Sequence, residues 1–346
     1  MSILSLPLKL RFNNFTSPQR TPWGGTRIAD LKNHLGVAEG TIIGESWEIS
    51  GHPELPSHVG MTSLNELIRQ DPISLLGQRI VDRFGPELPF LVKLLDTRDW
   101  LSVQVHPKAD YPGLKPGEHS KNEAWVILET SQNPPNPPLS KGGKGGFSPS
   151  GIYFGFKEGV TRKDAQSALE DGSDLTRFLN FVPVQPGDVY FVQAGVPHAI
   201  GPGLFLYEIQ ETSSTTYRYF DFNRRDKNGN PRQLHKEDAV AATDWNLPWG
   251  GKLLSQLKIE PYGNRLLSTP YFEVSKIELK RGATATGDSS GGFHGITVLK
   301  GELRIKTTSS QIQMNQGESA IIPAAVGRYS IISSTPESFT LLAKIP

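Results

Sequence analysis

The sequence predicts a mainly β protein, and three observations predict it. Glycine (35) and proline (27) are abundant among the 346 residues. Apolar residues fall in short runs bounded by those two, and long helical patterns are few. A strand-turn-strand pattern also occurs twice, as "VQPGDVYFVQAGVPHAI" and "MNQGESAIIPAAVGRYSI". Each copy has a Gly followed by Asp or Glu, a strand, and a turn containing Pro. The echo predicts two related β-barrels, the first with His198 where the second offers Arg328 or Tyr329.

In chain order, "LPLKLRF" and "SWEISGH" read as strands, with the turn "TPWGG" (Thr21 to Gly25) between them. A helical segment follows over about 62–80. Ser63 is its N-cap, and Leu64, Leu67, Ile68 and Leu75 lie near one face, with Pro72 breaking it into two pieces. "PFLVKLLDT", "WLSVQVHP", "NEAWVIL" and "GIYFGF" are apolar enough to be interior strands. Between the last two lies a low-complexity insertion at 130–150, Pro-rich then Gly-rich, read as a disordered or extended loop. Deleting 132–147 is expected to leave activity within a few-fold. A second helical segment spans about 161–180, with Thr161 as cap. "HKEDAVAATDW" is a short helix, and from Tyr271 onward the chain reads as strand and turn. The domain boundary is placed between 262 and 263.

Bulk composition excludes several function classes. No run of about 18 apolar residues occurs, so no transmembrane helix is expected. The segment "MSILSLPLKLRFNNF" lacks the apolar stretch of a signal peptide, so the expected location is cytoplasmic. Cysteine is absent, so disulfides are excluded and a metal would need N and O ligands. With 36 basic and 35 acidic residues the net charge is +1, which gives no reason to expect nucleic acid or a membrane as partner.

The chemistry concentrates between Leu101 and Glu129. Gln104 and His106 are two apart on a strand and face one way, while Val103 and Val105 face the other. Glu123 begins the next strand, and His198 closes a tight turn further on. Two imidazoles, a carboxylate and an amide oxygen suit a divalent metal, Zn2+ first, with an open position for substrate. Spacing leaves plainer readings open. His198 can be a polar loop residue, His106 a strand end before Pro107, and Glu123 a surface partner of Lys121 or Lys108. Gln104 is the weakest of the four, because Gln rarely binds zinc. His34, His52, His58 and His235 read as solvated, His119 as a surface loop residue, and His294 as structural.

Taken in order, "QVHP", "KNEAW", "GVPHAIG" and "EIQETSSTTYRYFDFNR" resemble the type I mannose-6-phosphate isomerases of the cupin superfamily. "PWGG", "GESWEIS", "PFLVKLLD" and the terminal "LKGE" and "GESAIIPA" fit the short bacterial form, so the likeness covers most of the chain. The resemblance implies two jelly-roll cupin barrels with a small helical insertion in the N-terminal half. The catalytic domain would span 1–262 and a degenerate barrel 263–346. It implies one Zn2+ per chain on Gln104, His106, Glu123 and His198. Arg218 matches an arginine assisting catalysis, Lys121 an active-site lysine, Glu208 an acidic pocket residue, and Ser102 a serine linked to substrate phosphate. Longer eukaryotic members of the family have a Tyr where this chain has Ile200, and the short bacterial form generally lacks that Tyr too.

The implied reaction interconverts mannose 6-phosphate and fructose 6-phosphate through a cis-enediol. Lys121, Glu208, a zinc-bound water and His119 remain as candidates for the proton-transferring base. Phosphate would meet Ser102, Lys121 and Arg218, and Trp23 and Trp47 would stack on sugar or fill the core. Two alternatives stand beside this reading. A cupin dioxygenase with iron is disfavoured by the Gln of "QVH". A sugar-phosphate sensor without turnover would need a broken metal set or a lost Arg218, and both are intact. The expected partner is a small sugar phosphate, and the expected state a monomer or weak dimer.

Overall fold

Val103 and Val105 are fully buried while Gln104 between them is half-exposed, the alternation expected of a strand with one face in a core. This strand belongs to a computed structural model that describes residues 3–131, 150–225 and 228–346. The body of the 130–150 insertion lies outside the described residues. Its flanks meet, the Ser150 hydroxyl donating to the Ser131 carbonyl at 2.9 Å. The chain divides into two compact units, Pro22–Gly25 with Leu95–Ile259, and Met1–Thr21, Thr26–Leu94 and Glu260–Pro346. The C-terminal strands thus share a unit with the N-terminal strands and the helices of 62–80, which the sequence reading placed with the catalytic half.

The first unit holds strands β1 (Val103–Val105), β2 (Glu123–Thr130), β3 (Gly151–Phe156), β4 (Leu179–Pro183), β5 (Val189–Val192), β6 (His198–Ile200), β7 (Leu204–Glu211) and β8 (Tyr217–Phe220). One antiparallel sheet runs β8-β1-β6-β3-β4. In another, β2 lies between β5 and β7. Two apolar clusters fill the unit. Trp23, Trp125, Ile127, Phe154 and Tyr190 belong to one. Val103, Val105, Phe156 and Tyr219 pack in the other with Ala165, Ala168 and Leu169. Burying each large side chain is worth roughly 1.5–3 kcal/mol, so the valines pin β1 with its polar face turned the opposite way.

The second predicted helical segment is shorter than read. The helix spans Arg162–Glu170, with Thr161 and Asp164 forming a capping box. Gly172 then takes a φ of 70°, and the chain passes through a 3-10 turn at Leu175–Phe178 into β4.

In the second unit, Ser63 and Glu66 form a capping box on helix Leu64–Gln70, and Pro72 opens the next helix, Pro72–Leu76. Leu64, Leu67, Ile68 and Leu75 are all buried, as their spacing predicts. Gly77 turns the chain at φ 94° into a third helix, Gln78–Phe84; a Cβ there would sit 3.1 Å from the Gly292 backbone. Short helices at Arg27–Lys32 and Gly251–Leu257, the latter in the first unit, were not legible in the sequence. Lys32 is completely buried and its ammonium donates to Glu48 at 2.6 Å, to the Phe12 carbonyl at 2.8 Å and to Ser46 at 3.1 Å.

The C-terminal strands β9 (Thr284–Asp288), β10 (His294–Lys300), β11 (Ser319–Ile322), β12 (Arg328–Ser333) and β13 (Glu337–Lys344) repeat the register of the first unit. Val192 pairs with Glu123, and Ile322 with His294. His198 pairs with Gln104, and Arg328 with Asp288. Gln210 pairs with Glu123, and Lys344 with His294. Arg328 rather than Tyr329 is therefore the counterpart of His198, and His294 is the counterpart of Glu123. The protein is mainly β, as expected. The expected pair of closed barrels is not seen, because the strand orders among the described residues run edge to edge without closing. No helix of the described residues is long and apolar enough to cross a membrane.

Candidate metal centre

His106, Glu123 and His198 come together from β2, β6 and the end of β1. Their ligand atoms all lie within 4.8 Å of one another, and the three residues are buried. Among the described residues no other group of three such side chains converges in this way. Both imidazole Nε2 atoms stand 3.3 Å from the carboxylate, His106 from Oε2 and His198 from Oε1.

Backbone carbonyls fix which ring nitrogen faces the carboxylate. His106 Nδ1 lies 2.9 Å from the Thr215 carbonyl, and His198 Nδ1 lies 2.9 Å from the Val196 carbonyl. A carbonyl only accepts, so each Nδ1 carries the proton and each neutral ring presents a bare lone pair at Nε2. Burial, with the Lys121 ammonium second, pulls His106 down to about 4. Burial also lowers His198, although Glu123 opposes it. Both rings are thus neutral at pH 7.

Glu123 is the anion of the group. Burial alone would raise its carboxyl, but the Lys121 ammonium holds it well below the usual carboxylate range. Lys121 Nζ sits 2.8 Å from Oε2 and 3.3 Å from His106 Nε2. The ammonium is within ion-pair distance, yet no donor is aligned for a hydrogen bond on either Glu123 oxygen. Gln210 Oε1, on the strand position opposite Glu123, is also buried without a donor.

These residues fit a divalent cation. Two lone pairs aimed at an ionised carboxylate with no proton between them form a donor set that a cation completes. Gln104 borders the set, its amide nitrogen 3.4 Å from His198 Nε2 and its amide oxygen accepting from Ser102 at 3.3 Å. Amide O and N exchange places by a flip of the side chain, which turns the oxygen toward the imidazoles and lets the nitrogen donate to Ser102.

The remaining predicted residues surround this core. The Arg218 guanidinium donates to the Ser102 hydroxyl at 3.2 Å and to the Gln233 carbonyl at 2.9 Å. Burial and then Arg232 lower it to about 10, so it stays charged. The nearby carboxylates Asp221 and Glu211 are engaged elsewhere. Asp221 holds Arg224 at 2.5 Å and Arg232 at 3.6 Å, and Glu211 holds Asn122. Glu208 is buried one rung along β7, accepting from Trp125 Nε1 at 3.1 Å, and the Trp125 ring stands 5.4 Å from that of His198. Lys108 pairs with Asp244 rather than with Glu123. His119 is exposed, and Trp23 and Trp47 are buried.

Sequence reasoning missed the supports. His235, expected to be solvated, is half-buried and accepts from the Arg218 backbone N–H at 3.1 Å. Thr215 and Val196 act through backbone carbonyls, which any residue supplies, so no side-chain pattern marks them.

A family model described as the type I phosphomannose isomerase catalytic domain matches residues 14–124. A second, the cupin domain of mannose-6-phosphate isomerase, matches residues 264–336. The mannose-6-phosphate isomerase of Streptococcus mutans is 30% identical over 310 residues, spanning 88% of this chain and 89% of that protein. The crystal structure of mannose 6-phosphate isomerase from Bacillus subtilis superposes with a TM-score of 0.77 and 26% identity, over 98% of this chain and 99% of that one. A mannose 6-phosphate isomerase bound with zinc and yttrium shares the fold at a TM-score of 0.69 and 17% identity, over 98% and 99% of the two chains.

Proposed function

We propose, on the premise that this chain belongs to the mannose-6-phosphate isomerase family and is an isomerase, that it interconverts mannose 6-phosphate and fructose 6-phosphate with one Zn2+ bound at the centre above. The observation that carries the proposal is the ionised Glu123 carboxylate, buried without an aligned donor, with two unprotonated imidazole nitrogens at 3.3 Å. His106, His198 and Glu123 would hold the ion, with Gln104 as fourth ligand through its flipped amide. When bound, the metal supplies Lewis acidity to substrate oxygens, worth several kcal/mol to a developing enediolate. Three neutral ligands and one carboxylate would leave a zinc site with net positive charge, which that role needs.

The chain's own residues supply the rest. Moving a proton between C2 and C1 through a cis-enediol requires a base within hydrogen-bond reach. Two buried candidates are Glu208, beside Trp125, and Lys121, which touches Glu123 and would have to give up its proton before it could accept one. The exposed His119 side chain is a weaker one. Arg218 and Ser102, already joined by a hydrogen bond, would receive the substrate phosphate, where a guanidinium offers a planar fork of donors. The two units are read as cupin modules, the second without a metal, because Arg328 and His294 stand where His198 and Glu123 stand in the first.

The test is a coupled isomerisation assay on the purified protein, with metal content by mass spectrometry before and after chelation. About one zinc per chain, with activity lost on chelation and restored by zinc, is the expected result. Zinc without turnover, or iron without isomerisation, would overturn it.

A further inference from the structure

We propose that Asn122 is a positioning residue for the metal centre, locking together the two loops whose carbonyls orient His106 and His198. The inference rests on the zinc reading above. Asn122 lies between Lys121 and Glu123 in the chain, so on an extended backbone its side chain faces away from theirs. It is buried, and it binds two other segments at once. Its backbone N–H and its side-chain Nδ2 both donate to Glu211 Oε2 at 2.8 Å. Its carbonyl accepts from the Glu211 N–H at 3.0 Å, and its Oδ1 accepts from the Ala194 N–H at 2.9 Å.

Each segment so held carries one of the orienting carbonyls. Ala194 opens the turn containing Val196, whose carbonyl receives the His198 Nδ1 proton. In the same turn, the Gly195 N–H donates to the His106 carbonyl at 2.8 Å. Glu211 opens the segment leading to Thr215, whose carbonyl receives the His106 Nδ1 proton. That segment is tied internally by Ser213 N–H to the Glu211 carbonyl at 2.7 Å and by Thr215 N–H to Ser213 Oγ at 3.2 Å. Shifting either loop would rotate an imidazole away from Glu123.

The chemistry selects asparagine here. One amide donates to a carboxylate while accepting from an N–H, which neither acid nor alkyl side chain can do. Alanine would leave the buried Ala194 N–H without its acceptor, and aspartate would set two carboxylates against each other.

The experiment measures Zn2+ affinity on the full chain by competition with a chromogenic chelator, for the wild type, Asn122→Ala, Asn122→Asp and the double variant Asn122→Asp/Glu211→Gln. In the double variant the side-chain donor and acceptor exchange sides and the total charge is conserved, while the residue 122 backbone N–H loses its carboxylate acceptor. The single variants are expected to hold zinc roughly 10–100-fold more weakly, the range for groups that orient metal ligands. The double variant removes the carboxylate repulsion and is expected to hold zinc more tightly than Asn122→Asp, though less tightly than wild type, because the residue 122 N–H is left without its acceptor. At saturating zinc the single variants should lose kcat while KM is kept. A folded Asn122→Ala with wild-type zinc affinity would overturn the proposal. If that variant fails to fold, a double variant no better than Asn122→Asp alone would overturn it. Wild-type protein that takes up no zinc would overturn this inference together with the zinc reading, whereas wild-type uptake with unaffected variants overturns the clamp alone.

Discussion

His106 and Thr215 are joined by a hydrogen bond of 2.9 Å from the ring Nδ1 to the backbone carbonyl, and that bond points the opposite nitrogen at Glu123. Main-chain atoms that carry no sequence signature thus decide which ring nitrogen His106 and His198 turn toward Glu123.

Glu123→Gln should keep the shape of the site and remove its only ligand charge. Zinc content is expected to fall well below one per chain, and kcat/KM to fall on the order of a thousandfold, as the loss of several kcal/mol of metal assistance implies. Metal analysis and the coupled assay check both. Full zinc with near wild-type turnover would exclude Glu123 as a ligand.

Arg218→Ala should bind zinc normally, since Arg218 bonds Ser102 and Gln233 rather than the imidazoles. Its kcat/KM should drop about 100–1,000-fold, the scale of losing one charged transition-state contact. Arg218→Lys should recover only part of this, because an ammonium lacks the planar fork. Equal zinc content with unequal turnover is the pattern to look for.

Lys32→Met should unfold at lower denaturant, by about 3–5 kcal/mol, because Glu48 would be left charged and buried without its counter-ion. Lys32→Met combined with Glu48→Gln should recover much of that loss. Equilibrium unfolding of three proteins decides it, and an unchanged midpoint for the single variant would refute the argument.

His294 gives a stability change with a defined direction. Burial pulls it down to about 4, and its Nδ1 lies 2.7 Å from the Tyr329 hydroxyl. An unfolded histidine titrates near 6.5. On acidification the unfolded chain therefore takes the proton first. The stability is intact above about pH 6.5 and is lost as pH falls from there toward 4, by at most about 1.4 kcal/mol per unit from this one group. His294→Gln should flatten that part of the profile by about 2 kcal/mol between pH 7 and 5. Parallel profiles for the two proteins would count against it.

Much of this was legible in the sequence where side chains do the work. Ser63 and Thr161 announced helix starts, and Pro72 announced a break, because caps and proline act locally. The convergence of His106, Glu123 and His198 was legible only through the family resemblance of the motifs that carry them, since spacing alone left plainer readings open. Contacts between segments far apart in the chain were not legible. Lys32 reads as a surface lysine until Glu48 is folded against it. Asn122 reads as filler between two functional neighbours until Glu211 and Ala194 arrive.

The repeated register has a meaning for how the centre is built. At His294 the second unit runs the same ladder as at Glu123, flanked by Ile322 and Lys344 instead of Val192 and Gln210, and it does so with a histidine hydrogen-bonded to a tyrosine. Pairing at that rung therefore makes no demand for an ion. The scaffold precedes its cargo: stripping the metal should empty a finished receptacle without melting it, and the chelated protein should keep its cooperative unfolding transition while it waits to be reloaded.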